Sequence, residues 1–198
     1  ILGPSGCGKT TLLNIIAGLI PYEGEIIDGH EKISYVFQNQ RLLPNLTVRQ
    51  NLDFVIKSII IDRQERKKMI ENVLKDMELS DRIDDYASEL SGGMAQRVSI
   101  ARAFLYPSTL ILMDEALKGL DIALKKKITR EFLSLWEKGN KTVLAVSHDI
   151  DEALELSDRI IVLNSGGEIV FDEIISLPRQ DLPDNVRIEL KNKIYDLF

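Results

Sequence analysis

The sequence predicts an α/β fold in which helices flank a mainly parallel sheet, with a helical subdomain inserted at about residues 40–105. Strand-like segments alternate with helical ones along much of the chain. The run at residues 109–113, TLILM, is apolar throughout, which is typical of a parallel strand covered on both faces. The 198 residues are enough for the core of one domain, and residues 178–198 form a C-terminal tail.

The segments before the subdomain are short. Residues 1–2 are predicted to end a strand, and residues 12–19 to form a buried helix with a glycine near its C-terminus. Two further strands are predicted at residues 25–28 and 33–37, and the turn signal Asp28-Gly29-His30 separates them.

Helix caps organise the inserted subdomain. Ser, Thr and Asp accept hydrogen bonds from the first free N–H groups of a helix, so each marks a candidate start. The predicted segments are a helix at 51–60 capped by Thr47, a charged amphipathic helix from the Asp62–Glu65 capping box to about Leu79, a polar connection at 81–89, and a helix at 93–105 capped by Ser91 and stopped by Pro107.

Strands and helices alternate again after the subdomain. A long helix at 121–138 places apolar residues on one face and closes at Gly139. The other predicted elements are strands at 109–113, 142–146, 159–163 and 168–171, a short helix at 149–156, and a loop followed by a helix in the tail.

The first eleven residues carry a phosphate-loop pattern, G-x-x-x-x-G-K-[ST]. Its glycines let several N–H groups point at one anion, at the positive end of the next helix. Lys9 is predicted to reach the β- and γ-phosphates, and the Thr10 hydroxyl to coordinate Mg²⁺. A chance glycine-rich turn is the alternative, but the strand–loop–helix setting favours a P-loop NTPase fold. The predicted phosphate-binding residues are Gly3, Pro4, Ser5, Gly6, Cys7, Gly8, Lys9, Thr10 and Thr11.

An acidic pair, Asp114 and Glu115, ends the apolar strand. In a phosphate-loop fold this end of the sheet is where ligands bind. Asp114 is predicted to hold the Mg²⁺ shell, and Glu115 to polarise the attacking water. The alternative is a strand that simply ends in solvated carboxylates, and the phosphate loop makes that alternative the weaker one.

The stretch Ser91-Gly92-Gly93 is a second exposed helix start. Its serine and free amide groups suit an anion, although a lone S-G-G is more often only a helix cap. Two such helix starts in one small domain favour phosphate binding at both.

Five motifs in this order give the chain a family resemblance. They are GPSGCGKTT, the glutamine of YVFQ, LSGGMAQRVSIARA, LILMDE and the histidine of VSHD. In this order they resemble the nucleotide-binding subunit of ATP-binding cassette (ABC) transporters, over nearly the whole chain. The resemblance implies ATP hydrolysis with Mg²⁺, coupled to transport.

The resemblance also implies a role for individual residues. Ser91 and Gly93 would bind the γ-phosphate of an ATP held by the opposite subunit, and His148 would contact the γ-phosphate near Glu115. Asp121, in KGLD, would lie at the dimer interface. The residues implied are Lys9, Gln38, Glu115 and His148 for catalysis; Ser91, Gly92, Gly93 and Asp121 for nucleotide binding; and Thr10, Gln38 and Asp114 for Mg²⁺.

Partners follow from the same resemblance. The subunit would form a homodimer, or pair with another ABC subunit, on the cytoplasmic face of the cell membrane. The chain has no run of about 18 apolar residues, so the permease is expected to be separate. Its coupling helix would dock near Gln38 and residues 42–51. The tail resembles that of nitrate, sulfonate and taurine importers, which implies an extracytoplasmic substrate-binding protein.

Two positions depart from the family pattern. Ala116 replaces the usual proline after the catalytic glutamate, and Lys118 replaces a small residue. Lys118 brings a positive charge to the expected dimer interface, where it is either neutral or alters the rate. The family's adenine-stacking aromatic residue lies upstream of the phosphate loop. We therefore expect that N-terminal strands are missing and that this chain alone binds ATP poorly.

Composition and spacing weigh against other function classes. A formal net charge of −6 argues against a nucleic-acid binder. A DNA-maintenance ATPase needs a coiled coil where only 52 residues separate Gln38 from Ser91. A translation ATPase of this superfamily would carry two cassettes, so the length of the full gene decides that alternative. A non-catalytic module would not need Lys9, Glu115 and His148 together.

The single cysteine, Cys7, excludes an internal disulfide. It lies inside the phosphate loop, at a helix N-terminus and two residues from Lys9, a setting typical of reactive thiols. We hypothesise that alkylation of Cys7 blocks nucleotide binding and that ATP protects it. A small residue that merely fills a tight turn is the alternative.

Overall fold

The computed structural model describes residues 1–27, 32–175 and 183–197. The chain divides into two units: a terminal unit, residues 1–27 with 144–198, and a central unit, residues 28–143. The predicted turn at Asp28-Gly29-His30 and the predicted loop that opens the tail lie outside the described residues, apart from Pro183.

The helices and strands follow one another in an alternating order. They are α1 (Lys9–Ile16), β1 (Ile33–Val36), α2 (Val48–Ile56), α3 (Arg63–Asp76), α4 (Gly92–Leu105), β2 (Leu110–Asp114), α5 (Ile122–Glu137), β3 (Thr142–Val146), α6 (Ile150–Leu156), β4 (Arg159–Leu163), β5 (Ile169–Ile174) and α7 (Asp184–Tyr195). The polar connection predicted at 81–89 contains 3₁₀ turns, Ser80–Arg82 and Ala87–Glu89.

The central unit contains a parallel strand pair. β1 runs parallel to β2, with Ile33 opposite Leu110 and Val36 opposite Met113. Every residue of β2 is buried, as the apolar run predicted. The sheet order is β1-β2-β3, and β3 begins beside the start of β2, where the Thr142 N–H donates to the Thr109 carbonyl at 2.9 Å. The parallel arrangement predicted from sequence is confirmed for β1 and β2.

Helices of the central unit start directly after their predicted caps, so α2 runs from Val48 to Ile56 rather than over the predicted 51–60. The Thr47 hydroxyl accepts from the Gln50 N–H at 3.2 Å, and the Gln50 side chain accepts from the Thr47 N–H at 2.9 Å, a reciprocal capping box. The Asp62 carboxylate accepts from the N–H groups at the start of α3. Helices α2, α3 and α4 pack against one another. Their buried apolar residues are Leu52, Ile56, Ile70, Leu74, Val98 and Ile100.

The terminal unit joins the start of the chain to its last strands. Leu2 bridges to Val162 of β4 in parallel, which agrees with a strand ending there. β4 then pairs with β5 in an antiparallel hairpin. The buried residues that pack together in this unit are Leu2, Ile150, Ala153, Leu154, Ile160, Val162, Leu190 and Ile194.

Helix α1 differs from the predicted buried helix at 12–19. It begins at Lys9, because the phosphate loop leads directly into its first turn, and only Lys9 and Leu13 are buried. Gly18, with φ 68°, ends it: the Gly18 N–H donates to the Ile15 carbonyl and the Leu19 N–H to the Asn14 carbonyl, a Schellman motif.

The strand predicted at residues 25–28 is wrong for its described part, residues 25–27, which are not in a strand. A strand persists only where a neighbouring strand takes up its N–H and C=O groups. No strand within residues 1–27, 32–175 and 183–197 pairs with this segment, and Ile27 is 91% exposed.

Across the described part of the chain, no helix combines the length and the apolar character needed to cross a bilayer.

Candidate active site

The phosphate-loop residues form a tight turn at the start of α1. Gly6 and Gly8 have φ values of 85° and 99°, in the left-handed region where a side chain is strained. A Cβ atom at Gly3 would lie 2.8 Å from both the Cys7 Sγ and the Leu163 carbonyl oxygen. Glycine is therefore required at all three positions, for conformation at two of them and for space at the third.

Lys9 lies buried within this loop. Its ammonium donates to the carbonyls of Gly3 at 2.7 Å and Pro4 at 2.8 Å, and lies 3.7 Å from the Cys7 Sγ. A buried ammonium needs such partners, because it loses its hydration. The loop is thus folded around the positive charge that a phosphate would meet.

Cys7 is 8% exposed and packs beside Gly3. This packing fits a small residue in a tight turn, the simpler alternative. The same burial places the thiol beside Lys9, so an added group would disturb the contacts of the ammonium.

Thr10 and His148 also belong to the terminal unit. Thr10 is exposed in the first turn of α1. His148 follows β3 and is exposed, and the next residue, Asp149, caps α6 by accepting from the Glu152 N–H.

The acidic pair occupies the end of β2 in the central unit. Asp114 is the last residue of the strand and is 7% exposed. Glu115 has φ 44°, an uncommon conformation for a residue other than glycine. Its turn is closed by the Lys118 N–H, which donates to the Glu115 carbonyl at 3.0 Å. The Lys118 Nζ lies 2.5 Å from the Glu115 Oε2.

The carboxylate of Asp114 affects the pKa of Tyr35, a residue of β1. Burial and, next in size, the charge of Asp114 raise the pKa of Tyr35 to about 12, while Arg41 acts in the opposite direction. Tyr35 stacks on Phe37 with ring centroids 4.0 Å apart, and the Arg41 guanidinium lies 3.8 Å from the Phe37 ring centre. This stack leads directly into Gln38, which is exposed.

Arg102 of α4 holds the segment that follows Gln38. Its guanidinium donates to the carbonyls of Gln40 and Arg41, both at 2.9 Å. Burial lowers the pKa of Arg102. Sequence reasoning missed this contact, since 61 residues or more separate the partners. It connects the glutamine segment to the helix that begins after Ser91.

Ser91 caps α4, and its hydroxyl accepts from the Met94 N–H at 3.4 Å. Gly92 faces open space, whereas a Cβ atom at Gly93 would lie 2.4 Å from the Leu124 Cδ2. Asp121 caps α5 by accepting from the Leu124 N–H at 3.0 Å. The structure therefore brings Gly93 against the first turn of the helix that Asp121 starts.

The predicted metal ligands are all oxygen donors: the Thr10 hydroxyl, the Gln38 amide and the Asp114 carboxylate. Such hard donors suit Mg²⁺, which needs few protein ligands when phosphates supply others. Residues 1–27, 32–175 and 183–197 contain no cluster of three His, Cys, Asp or Glu side chains that could hold a metal without such help.

Comparison with known proteins agrees with these motifs. The family model described as "ABC transporter" matches residues 1–118. The aliphatic sulfonates import ATP-binding protein SsuB of Bacillus anthracis is 38% identical, over 100% of this chain and 82% of its own length. The taurine import ATP-binding protein TauB of Shigella boydii is also 38% identical, over 88% of this chain and 71% of its own.

A solved structure is similar throughout most of the chain. It is the dimeric post-hydrolysis state of an ATP-binding cassette bound to ADP and Pi. Its TM-score is 0.76 at 36% identity, and the match covers 89% of this chain and 84% of the solved one.

Proposed function

The chain belongs to the ABC transporter family, and we propose that it is the ATP-hydrolysing subunit that powers import through a separate membrane permease. The observation that carries this proposal is the loop at Gly3–Thr11, folded around the buried Lys9 ammonium. A post-hydrolysis cassette with ADP and Pi among the similar structures supports hydrolysis as the reaction.

The phosphate loop binds the β- and γ-phosphates. The Lys9 ammonium exchanges its contacts with the Gly3 and Pro4 carbonyls for phosphate oxygens, as a mobile point charge can. The N–H groups of the first turn of α1 add the positive end of the helix. Binding therefore replaces backbone acceptors by more highly charged ones.

Thr10, Gln38 and Asp114 would hold Mg²⁺. The ion, when bound, neutralises charge on the phosphates. We assign Mg²⁺ to these three residues because each offers an oxygen donor.

Hydrolysis needs a base and groups that stabilise charge. Glu115 accepts a proton from water while the water oxygen bonds to the γ-phosphorus. The bond from the γ-phosphorus to the β–γ bridging oxygen breaks, and its electron pair leaves with ADP. Lys9 and His148 stabilise the negative charge of the transferred group by contacting the γ-phosphate.

A second copy completes each ATP site. Ser91 and Gly92 are exposed at the start of α4, whereas Gly93 is buried. In a head-to-tail dimer this helix start would contact the γ-phosphate held by the other copy's phosphate loop. Asp121 would lie in the same interface. Closing of the dimer on ATP, and opening after hydrolysis, would convert binding energy into motion. The dimeric cassette among the similar structures supports this arrangement.

The permease would dock on the central unit near Gln38 and residues 42–51. Leu43 and Phe54 expose apolar surface there, 40% and 53% respectively, which supports a protein contact. The subunit would lie peripherally on the cytoplasmic face of the membrane. The names of relatives and the resemblance of the tail support a cargo like sulfonate, nitrate or taurine. Such an importer would also use an extracytoplasmic binding protein.

The substitution Glu115→Gln tests this function. We expect retained ATP binding and a stable dimer, because the amide keeps the shape of the side chain but accepts no proton. Turnover should fall to a small fraction of the wild-type rate, by about a hundredfold or more. Steady-state release of phosphate and size-exclusion chromatography with ATP measure the two effects. Glu23→Gln, an exposed change of the same kind, is the control. Wild-type turnover in Glu115→Gln would remove Glu115 from its role.

A further inference from the structure

Lys118 contacts the residue proposed as the base. Its Nζ lies 2.5 Å from the Glu115 Oε2, and this charge-assisted bond joins a side chain that is 16% exposed to one that is 46% exposed. Water screens a pair between two fully exposed chains strongly. Here the carboxylate is largely sheltered, so the ammonium restrains it more than a surface partner would.

The backbone joins the same two residues. The Lys118 N–H donates to the Glu115 carbonyl at 3.0 Å, and Glu115 adopts φ 44°. Such a conformation is strained for a residue other than glycine and persists only where the surroundings hold it. Ala116 and Leu117, 5% and 0% exposed, anchor the middle of the turn. The turn therefore fixes the backbone of Glu115.

The side chain of Glu115 still has three rotatable bonds. The ammonium of Lys118 limits this remaining freedom by engaging one carboxylate oxygen, Oε2. The backbone of Lys118 is held by the same turn, so its side chain stays close to Glu115.

We propose that Lys118 is a positioning residue that holds the Glu115 carboxylate in the orientation used for ATP hydrolysis. This inference rests on the proposed function, in which Glu115 accepts the proton of the attacking water. It assigns an effect on rate to a lysine whose effect the sequence alone left open. Orientation acts on the chemical step, so it affects kcat and leaves ATP binding unchanged.

Lys118→Met tests the proposal by removing the ammonium but keeping an unbranched side chain. We expect kcat for ATP hydrolysis to fall about fivefold to tenfold, since a loosened carboxylate is less often placed to accept the proton of the attacking water. The KM for ATP should change by less than about twofold. Lys118→Arg keeps a charged donor and should restore at least about half of the lost rate.

The controls distinguish the contact between Lys118 and Glu115 from a general loss of positive charge and from a loss of folded protein. Lys126→Met removes an exposed lysine of α5 and should leave both constants unchanged. Lys118→Gln is a second neutral variant, and all rates are expressed per ATP-binding subunit. Glu115→Gln is measured in parallel.

Each outcome decides one statement. An unchanged kcat in both neutral variants overturns the proposal. A raised kcat overturns it too, because it would show that the contact slows hydrolysis. A rise in KM alone overturns it as well. Wild-type turnover in Glu115→Gln instead rejects the role of Glu115. An inactive Glu115→Gln with normal Lys118→Met rejects only the role of Lys118.

Discussion

At the scale of single residues, Cys7 shows how a small side chain controls the phosphate loop. The thiol is buried against the Gly3 backbone and lies 3.7 Å from the Lys9 Nζ. An alkyl group on sulfur has no room there without moving the loop or the ammonium. Packing therefore favours a small side chain at this position, whether or not the thiol is reactive.

We predict that alkylation of Cys7 abolishes ATP binding and that bound ATP slows the alkylation. The chain has one cysteine, so mass spectrometry of the intact protein reports the extent of modification at this position alone. Cys7→Ala is the control: it should bind ATP and ignore the reagent. Undiminished ATP binding after complete modification would contradict the prediction.

At the scale of elements, the start of α4 is packed directly against α5. Gly93 has no space for a Cβ atom beside Leu124, whereas Gly92, its neighbour, faces open space. Packing therefore requires glycine at position 93 but not at position 92. The flexible end of Leu124 has to move if Gly93 gains a methyl group, and Leu124 also donates to the cap of its helix, Asp121.

We predict that Gly93→Ala is less stable than Gly92→Ala by about 1 kcal/mol, the low end of overpacking, because the end of Leu124 has to shift. Gly92→Ala should leave the free energy of unfolding unchanged or raise it by about 0.5–1 kcal/mol, because glycine is a poor helix residue. Denaturant unfolding of the two variants side by side measures the difference. Equal stabilities would show that Leu124 relaxes without strain.

A buried carboxylate lies in the same helix pair. Glu131 of α5 is 7% exposed, and neither of its oxygens has a hydrogen-bond partner. Burial raises the pKa of Glu131 above its ordinary value of 4.5, and the charge of Glu78 raises it further. Arg97, 3.6 Å away, and the more distant Lys127 and Arg130 act in the opposite direction.

This raised pKa makes stability depend on pH in a defined direction. The folded chain binds the Glu131 proton more readily than the unfolded chain does, so the free energy of unfolding falls as the pH rises from about 4.5 through the folded pKa. We predict that Glu131→Gln flattens this slope. Denaturant unfolding at about pH 5 and about pH 8 measures the slope. Glu137→Gln, at the exposed end of α5, is the control, and equal slopes in all three proteins would contradict the prediction.

At the scale of the whole molecule, the proposed dimer divides each ATP site between two copies. Lys9 of one copy would act with Ser91 of the other. Lys9→Met and Ser91→Arg should each be inactive alone. Mixing them should restore turnover, because each mixed dimer keeps one site with both residues intact.

Phosphate release from the mixture, after the two variants are allowed to exchange subunits, measures this restoration. We expect roughly a quarter of the wild-type rate if half of the dimers are mixed and each of their intact sites works independently. Two samples that each contain a single variant are the controls. A mixture no more active than these samples would contradict a shared site.

The helix caps and the phosphate-loop turn could be predicted from sequence because their signals are local, whereas the roles of the site residues stay predictions. The Thr47, Asp62 and Asp121 caps bind N–H groups two or three residues away, and Gly6 and Gly8 of the phosphate loop are required by their own backbone angles. The strand predicted at residues 25–28 was wrong for residues 25–27 because a strand depends on a partner elsewhere in the chain, and local sequence does not show that partner. The helical subdomain at about 40–105 stays a prediction.

The sequence by itself determined the phosphate loop, the helix start at Ser91, the acidic strand end and the family, because each depends on neighbouring residues in a set order. Only the tertiary structure decided that Arg102 holds the segment after Gln38 and that Gly93 lies against Leu124. It also decided that Lys118 turns toward Glu115. These contacts arise where the folded backbone brings side chains together, and residue type alone does not specify that meeting.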